Sequence, residues 1–497
     1  MYRKPCSALG QTRFFTILLI VALILAVFAP SVPAEESAKS ANKTSKNNKI
    51  SLAEVEPVLY YSFRRYSKFY GDGNTIPGGL LERSYLLGNP GGARDFLVDH
   101  GFYLDVGVTQ FLQSNVSGGE DTGSARYNGS ADYWLTFDTG KAGLWSGGAV
   151  FLHAESSWQA GESVNSDAGS LLPANFDATM PTPDESEKMA LPELYLVQAL
   201  PANLLALAGK VDWAGLADTN VLANNERTQF FYTGLVNNPI LGAFAPYTSL
   251  GAAVAWAPGD HNVTAFAFQS NGDATTSGFN NFDGEYTYGG QYQFSPVING
   301  NLPGNYRFIF GYSTKDVPRF DIDPRQLIGQ LIGVTPVAEK SDNYTVLANF
   351  DQYIWIEGGS LAAYKKRLEA SGYPGIGRHH LPPNGIGIFG RAGWAPKDRN
   401  VIDQFYSLGI GGYGMIPGRD YDQWGIGWAG THISSDLRDD VRLLGIDLNS
   451  FEHAFEVFYN FQVTPAAHLS VNGQVIDSAL ESLDTAYTLG ARLQLDF

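Results

Sequence analysis

A single cysteine, Cys6, is all the chain contains, and it lies among the first residues. Once that end is removed on export, the mature protein has no thiol, which excludes disulfides, thiol catalysis and thiolate metal sites. Charge is also scarce: Asp, Glu, Lys and Arg make up 17% of the residues, 33 basic against 50 acidic, for a net charge of -17. Neutralising phosphates requires clustered Lys and Arg, so nucleic acid is not an expected partner. Acidic loops that bind cations or face other anions suit this balance better. No apolar run of helical length follows Phe28, which excludes membrane-spanning helices from the rest of the chain. What the chain has instead is glycine, 56 residues, and aromatics, 13%. With hydrophobic residues at 44%, disorder is excluded and strands with turns are favoured.

Residues 1–34 read as a signal peptide. Arg3, Lys4 and Arg13 precede an apolar run from Phe14 to Phe28, and Val32-Pro33-Ala34 places small residues before Glu35. The run is shorter than the ~20 residues a spanning helix needs. Cys6 precedes it, which argues against a lipoprotein signal. Residues 35–85 then form a polar segment, expected in the periplasm, with a Lys, Asn and Ser stretch from Lys39 to Lys49.

From Phe102 onward the dominant period is two. In "FYLDVGVT", Phe102, Leu104, Val106 and Val108 share one face and Tyr103, Asp105, Gly107 and Thr109 the other. "ADYWLTFD", "YRFIFGYS" and "FEVFYNFQV" alternate in the same way. The final "TLGARLQLDF" sets Tyr487, Leu489, Ala491, Leu493 and Leu495 against Thr488, Gly490, Arg492, Gln494 and Asp496. Segments of about ten residues suit tilted strands that cross a bilayer, lipid-facing apolar residues alternating with lumen-facing polar ones. Unpaired strand edges cannot sit in lipid, so such a sheet must close.

The expectation is an all-β fold: a transmembrane antiparallel β-barrel over residues 86–497, with a short N-terminal periplasmic helix. Short links such as "LPANL" and "APGDH" alternate with long ones, from Trp158 to Ala190 and from Trp213 to Thr248, as periplasmic turns alternate with outer loops. Counting back from Phe497 gives sixteen strands if Glu357 to Asn384 is a periplasmic insertion, whose "SLAAYKKRLEASG" reads as a short helix. Eighteen strands result if that stretch supplies two more. A secreted β-sandwich or propeller would also alternate, but with strands of about five or six residues. Trp145, Trp256, Trp394, Tyr312 and Tyr487 at strand ends fit interfacial girdles.

Apparent chemistry motifs carry little. Gly385–Gly390, Gly409–Gly414 and Gly425–Gly430 match the dinucleotide fingerprint, but no helical pattern follows to meet a pyrophosphate. Glycine there more simply makes room for bulky neighbours. His379-His380 does not converge as ligands spaced on a helix do. No Gly-x-Ser-x-Gly elbow is present, so neither an enzyme nor a cofactor or metal site is expected.

"NPGGARDFLVDHGFYLDVGVTQFLQSNVSGG", from Asn89 to Gly119, resembles the start of the OprB-type carbohydrate-selective porins of Gram-negative bacteria. The likeness continues through "NGSADYWLTFDTGKAGLWSGGAVFLHAESSW", "PELYLVQAL" with "LALAGKVDW", "GIGIFGRAGWAPKDRNVIDQFYSLGIGGYGMIPGRDYDQWGIGWA" and "EHAFEVFYNFQVTP". It spans about Leu80 to Phe497. The resemblance implies a sixteen-stranded outer-membrane barrel that lets sugars diffuse inward, and a GGxR helix leading into the first strand. It also implies that barrel-assembly machinery reads the last strand at Tyr487, Leu493, Leu495 and Phe497. Two departures are Asn89-Pro90, where the family usually has Asp-Trp, and the long Glu357–Asn384 insertion.

The alternation itself places Arg307, Arg391, Arg492 and Lys210 on inward faces, with Asp105, Asp132, Asp212, Glu155 and Glu456. A sugar sheds water at a constriction, so donors and acceptors must take its place. Inward Tyr103, Trp134 and Phe458 offer faces for pyranose rings. The plainer reading is that these residues fill a polar lumen and pair with one another. Sugars, outer-membrane lipid and the assembly machinery are thus the expected partners, with monomer and homo-oligomer both open. The alternatives to a sugar channel are a general or anion-selective porin, and a barrel with a plugged lumen that serves as an adhesion protein or as a hydrolase whose Ser-His pair is distant in sequence.

Overall fold

The computed structural model describes residues 78–497 apart from 84, 182–188, 280–281, 321, 323–329, 331–334 and 360–382. The signal segment, nearly all of the polar 35–85 segment, the expected insertion helix and His379-His380 lie outside the described residues.

Sixteen strands form one sheet: β1 (Phe102–Ser117), β2 (Arg126–Asp138), β3 (Gly148–Ala160), β4 (Met189–Leu200), β5 (Leu204–Val211), β6 (Ser249–Trp256), β7 (His261–Gln269) and β8 (Tyr286–Phe294). They continue as β9 (Leu302–Ser313), β10 (Asn343–Ile356), β11 (Gly385–Trp394), β12 (Ile402–Tyr413), β13 (Gln423–Ile433), β14 (Phe451–Thr464), β15 (Ala467–Asp477) and β16 (Ala486–Asp496). Each pairs antiparallel with its neighbours in sequence, and β16 pairs with β1 from Gly107↔Asp496 to Ser117↔Tyr487. No edge is left, which is the condition for lipid. β10 pairs directly with β11, starting at Ile356↔Gly385, so the stretch between them adds no strand to the wall. Sixteen, not eighteen, is the count, and Glu357–Asn384 joins strand ends on the short-turn side.

The outer face carries the apolar half of the alternation. Phe308, Phe310, Leu408, Ile426, Phe455, Val457 and Leu489 are all exposed, a belt that only hydrocarbon would cover. Trp256, Trp394 and Tyr487 are exposed at strand ends. Their inward neighbours are buried even where charged, as with Arg307 and Arg492.

Helix α1 (Ala93–Asp99) sits against the closure seam. Asn89, at one of the departures from the family pattern, organises its start: its side-chain oxygen accepts from the Arg94 N–H at 2.9 Å and its amide donates to Asp95 at 2.6 Å. Arg94 donates to the carbonyls of Leu104 at 2.7 Å and Phe497 at 2.9 Å, tying the helix to both strands of the seam.

The two long outer loops turn into the barrel. Residues 161–188 carry α2 (Val164–Ala168), and residues 212–248 carry α3 (Trp213–Ala217) and α4 (Thr233–Val236). Leu172, Leu222, Phe230, Tyr232, Leu235 and Ile240 of these loops form an apolar core with Phe389, Phe405, Ala429, Phe458 and Ile476 of the wall. All of the fingerprint-like glycines but Gly414 lie in β11, β12 and β13, and several make room for this packing. A Cβ on Gly409 would come within 2.2 Å of the Phe389 ring, and one on Gly427 within 2.8 Å of Leu235.

Candidate functional site

Inner-wall charges on β10–β16 hold the 212–248 loop. Arg391, 4% exposed, donates from Nε to both oxygens of Asp218 at 3.0 Å, and from its terminal nitrogens to the carbonyls of Ala223, Leu235 and Val236. Asp218 also accepts from the Asn238 N–H and from Asn349. Arg492, fully buried, donates to the carbonyls of Glu226 at 2.7 Å and Gln229 at 2.9 Å and to Ser470 at 2.7 Å, with its guanidinium 4.3 Å from the Phe231 ring centre. Glu456 accepts the backbone N–H groups of Phe231 at 2.7 Å and Tyr232 at 2.9 Å. Glu452, a residue the alternation did not single out, accepts from Leu171 and Leu172 of the other loop and from the Tyr232 hydroxyl. Charge-assisted bonds to backbone groups compensate for taking these ions out of water.

Three expected lumen residues are therefore covered. Arg391, Arg492 and Glu456 are on the inner face but engaged with loop backbone. Phe458 meets Phe230 edge-on at 4.7 Å, leaving no face for a sugar. Arg307 is closed off within the wall by Gln293 at 3.1 Å and Asp351 at 3.2 Å.

Lys210 requires correction, while Asp212 is buried on the inner side and engaged by the loop. Leu205, Leu207 and Val211 of β5 pack inward with Trp213, so Lys210 lies on the opposite face, across from Leu194 and Leu250. Its ammonium donates at the outer rim to the carbonyls of Leu191 at 2.8 Å, Ala274 at 3.0 Å and Thr276 at 2.5 Å. Asp212 is the N-cap of α3, accepting from the Gly215 N–H at 2.8 Å. The infolded loop makes the interior beside β5 dry, so its apolar residues take the inner face there.

The remaining inward candidates converge. Asp132, Trp134, His153 and Glu155 from β2 and β3 line one polar cleft with Asp177, Met180, Asn225, Glu226, Arg227 and Tyr247 from the loops. Its side chains nearly fill it, leaving about 10 Å³ of free space, room for about one water. His153 Nε2 is 2.9 Å from Asp132, and its other ring nitrogen is 3.4 Å from Glu193. The Trp134 ring stacks on His153 at 5.2 Å and carries the Arg227 guanidinium 4.1 Å from its centre. Arg227 approaches Asp132 at 3.6 Å, and the Tyr247 hydroxyl donates to Glu155 at 2.9 Å. Ser130 donates to Asp177 at 2.7 Å. Burial pushes the Asp177 carboxyl up to about 8; Ser130 opposes the shift, while Asp132 and Glu226 add to it. Tyr103 and Asp105 lie on the same face nearer the short-turn end, opposite Thr136 and Trp134 in register.

Residues 122–497 match the family described as carbohydrate-selective porin, OprB family. The chain belongs to that family. A search of characterised proteins finds Porin B of Pseudomonas aeruginosa, 27% identical over 128 residues, which is 23% of this chain and 28% of that protein. Among solved structures, Pseudomonas putida OprB at high pH superposes with a TM-score of 0.70 at 20% identity, covering 84% of this chain and all of the other. The low-pH form of the same protein gives 0.50 at 17% identity over the same 84%. These likenesses support the barrel, and membership of the family places this porin in the outer membrane as a channel.

Sequence patterning missed Asp177, His153, Glu193, Glu226, Arg227 and Tyr247. His153 and Glu193 sit on strands whose alternation includes them, so a full inward list would have found both. The others are on long loops, where no period marks the inner side.

Proposed function

We propose that this OprB-family porin conducts sugars passively across the outer membrane, and that its selective passage is the cleft between β2–β3 and the loop segment Asn225–Arg227. One observation carries this reading: the cleft is where wall and both infolded loops present ionisable side chains to a shared space, whereas a second cavity under the 212–248 loop, lined by Leu205, Leu207, Trp213, Leu241 and Phe244, is apolar. Carboxylates, an imidazole, a guanidinium, a phenol and an indole within one cleft can replace the water a hydroxyl-rich solute sheds. Purified protein in liposomes is expected to admit labelled glucose; intact barrels that pass ions but no neutral sugar would overturn the reading.

Residues 1–34 are the export signal in this proposal and 35–85 a periplasmic extension, which N-terminal sequencing of the outer-membrane protein would test. Tyr487, Leu493, Leu495 and Phe497 serve as the assembly signal. Deleting Phe497 is expected to lower the amount of folded barrel in the membrane.

A further inference from the structure

The cleft is charged in a way that neutral sugars do not need. Five carboxylates, Asp132, Glu155, Asp177, Glu193 and Glu226, gather around one guanidinium, Arg227, and one imidazole, His153. Asp132 and Glu193 are balanced by these two partners. Asp177 differs: it is 4% exposed, Ser130 satisfies Oδ1, and its buried Oδ2 has no hydrogen-bond partner. An unmet acceptor within a cleft of the same sign is a place for a donor that arrives with the solute. Hydroxyls could donate, but an ammonium donates three times and, arriving beside Asp177, draws that carboxyl from its protonated into its ionised form.

Resting on the reading of the cleft as the sugar path, we propose that the porin prefers sugars bearing an ammonium, the amino-deoxyhexose class, over their neutral counterparts, with Asp177 receiving the ammonium. Glu226 adds attraction from the loop side of the cleft. Arg227 keeps the net field from binding a cation too tightly to leave, since conduction needs release as much as entry. The aliphatic part of the sugar ring meets Trp134 once the Arg227 side chain swings aside.

The test is uptake of labelled glucosamine and glucose into proteoliposomes at pH 7, together with the potassium-to-chloride permeability ratio in planar bilayers. Glucosamine is expected to enter severalfold faster than glucose, and the glucosamine-to-glucose uptake ratio is expected to fall towards one in Asp177→Asn. Glu226→Gln, on the opposite element, is expected to lower it less. Equal uptake of the two sugars overturns the inference while leaving the sugar-channel reading intact, even when potassium is favoured over chloride. A preference that survives in both variants overturns the role of Asp177. Uptake of neither sugar through ion-conducting barrels overturns the reading of the cleft and the inference with it. Heat-modifiable migration on gels confirms that each variant is a folded barrel.

Discussion

The inner wall of β10–β16 and that of β2–β3 are built from the same two-residue alternation and end in different states. Along β10–β16 the inward charges Arg391, Glu456, Glu452 and Arg492 meet backbone groups of the infolded loops, and Phe389, Phe405 and Phe458 pack under them. Along β2–β3 the inward Asp132, His153 and Glu155 meet mostly other side chains, and a narrow polar cleft remains. Backbone groups are fixed in number and must be satisfied when buried, so a charge that caps them becomes structure. Side chains that satisfy one another can exchange partners with a solute, so they remain available for transport. An inward charge on a porin strand is therefore no evidence of pore lining until its partner is known.

Breaking the Arg391–Asp218 contact should erase the difference most thoroughly. Arg391→Ala leaves Asp218 buried without its ion partner, a loss of about 3–5 kcal/mol for such pairs. The 212–248 loop is expected to leave the wall, raising single-channel conductance and opening a new site to limited proteolysis. Glu456→Gln keeps an acceptor but removes charge from the bonds to Phe231 and Tyr232. A loss of about 1–2 kcal/mol follows, seen as a lower temperature of barrel unfolding with conductance nearly unchanged. On the cleft side, Trp134→Ala removes the platform under Arg227. An aromatic contact of about 0.5–1.5 kcal/mol would be lost, weakening sugar block of ion current by a few-fold with little change in stability.

Asp177 allows a comparison by pH alone. Its pKa is raised, so below about 8 the carboxyl holds its proton and is neutral, and above that value it is ionised. Raising the pH from 7 to 9 should increase the preference for potassium over chloride, read as a shift in reversal potential. Asp177→Asn should flatten that part of the profile. Asp132, Glu155, Glu226, Arg227 and Tyr247 face the same cleft and shape the remaining response. The smallest effect is expected from Lys210→Ala: the residue lies at the rim, so ion selectivity should stay as it is while the 274–276 segment loosens.

The closing strand shows how much could be read from the chain alone. Leu489 is 58% exposed and Arg492 fully buried, as the alternation in "TLGARLQLDF" requires. That pattern, repeated at lengths suited to a bilayer and joined by links of alternating size, determined a closed membrane barrel, its direction and which side of each regular strand faces inward. It failed at β5, where Leu205, Leu207 and Val211 turn inward, because the rule that lumen faces are polar holds only where the lumen is wet.

Sequence periodicity acts over neighbouring residues, and it settled everything that depends on one strand meeting lipid on one side and lumen on the other. Where the loops of residues 161–188 and 212–248 come to rest was decided only by the tertiary structure. Their contacts join residues such as Arg391 and Asp218, or Glu456 and Phe231, that are far apart in the chain and marked by no shared period. Those contacts divided the inward charges into anchors and a cleft, and so chose which of them a solute can reach.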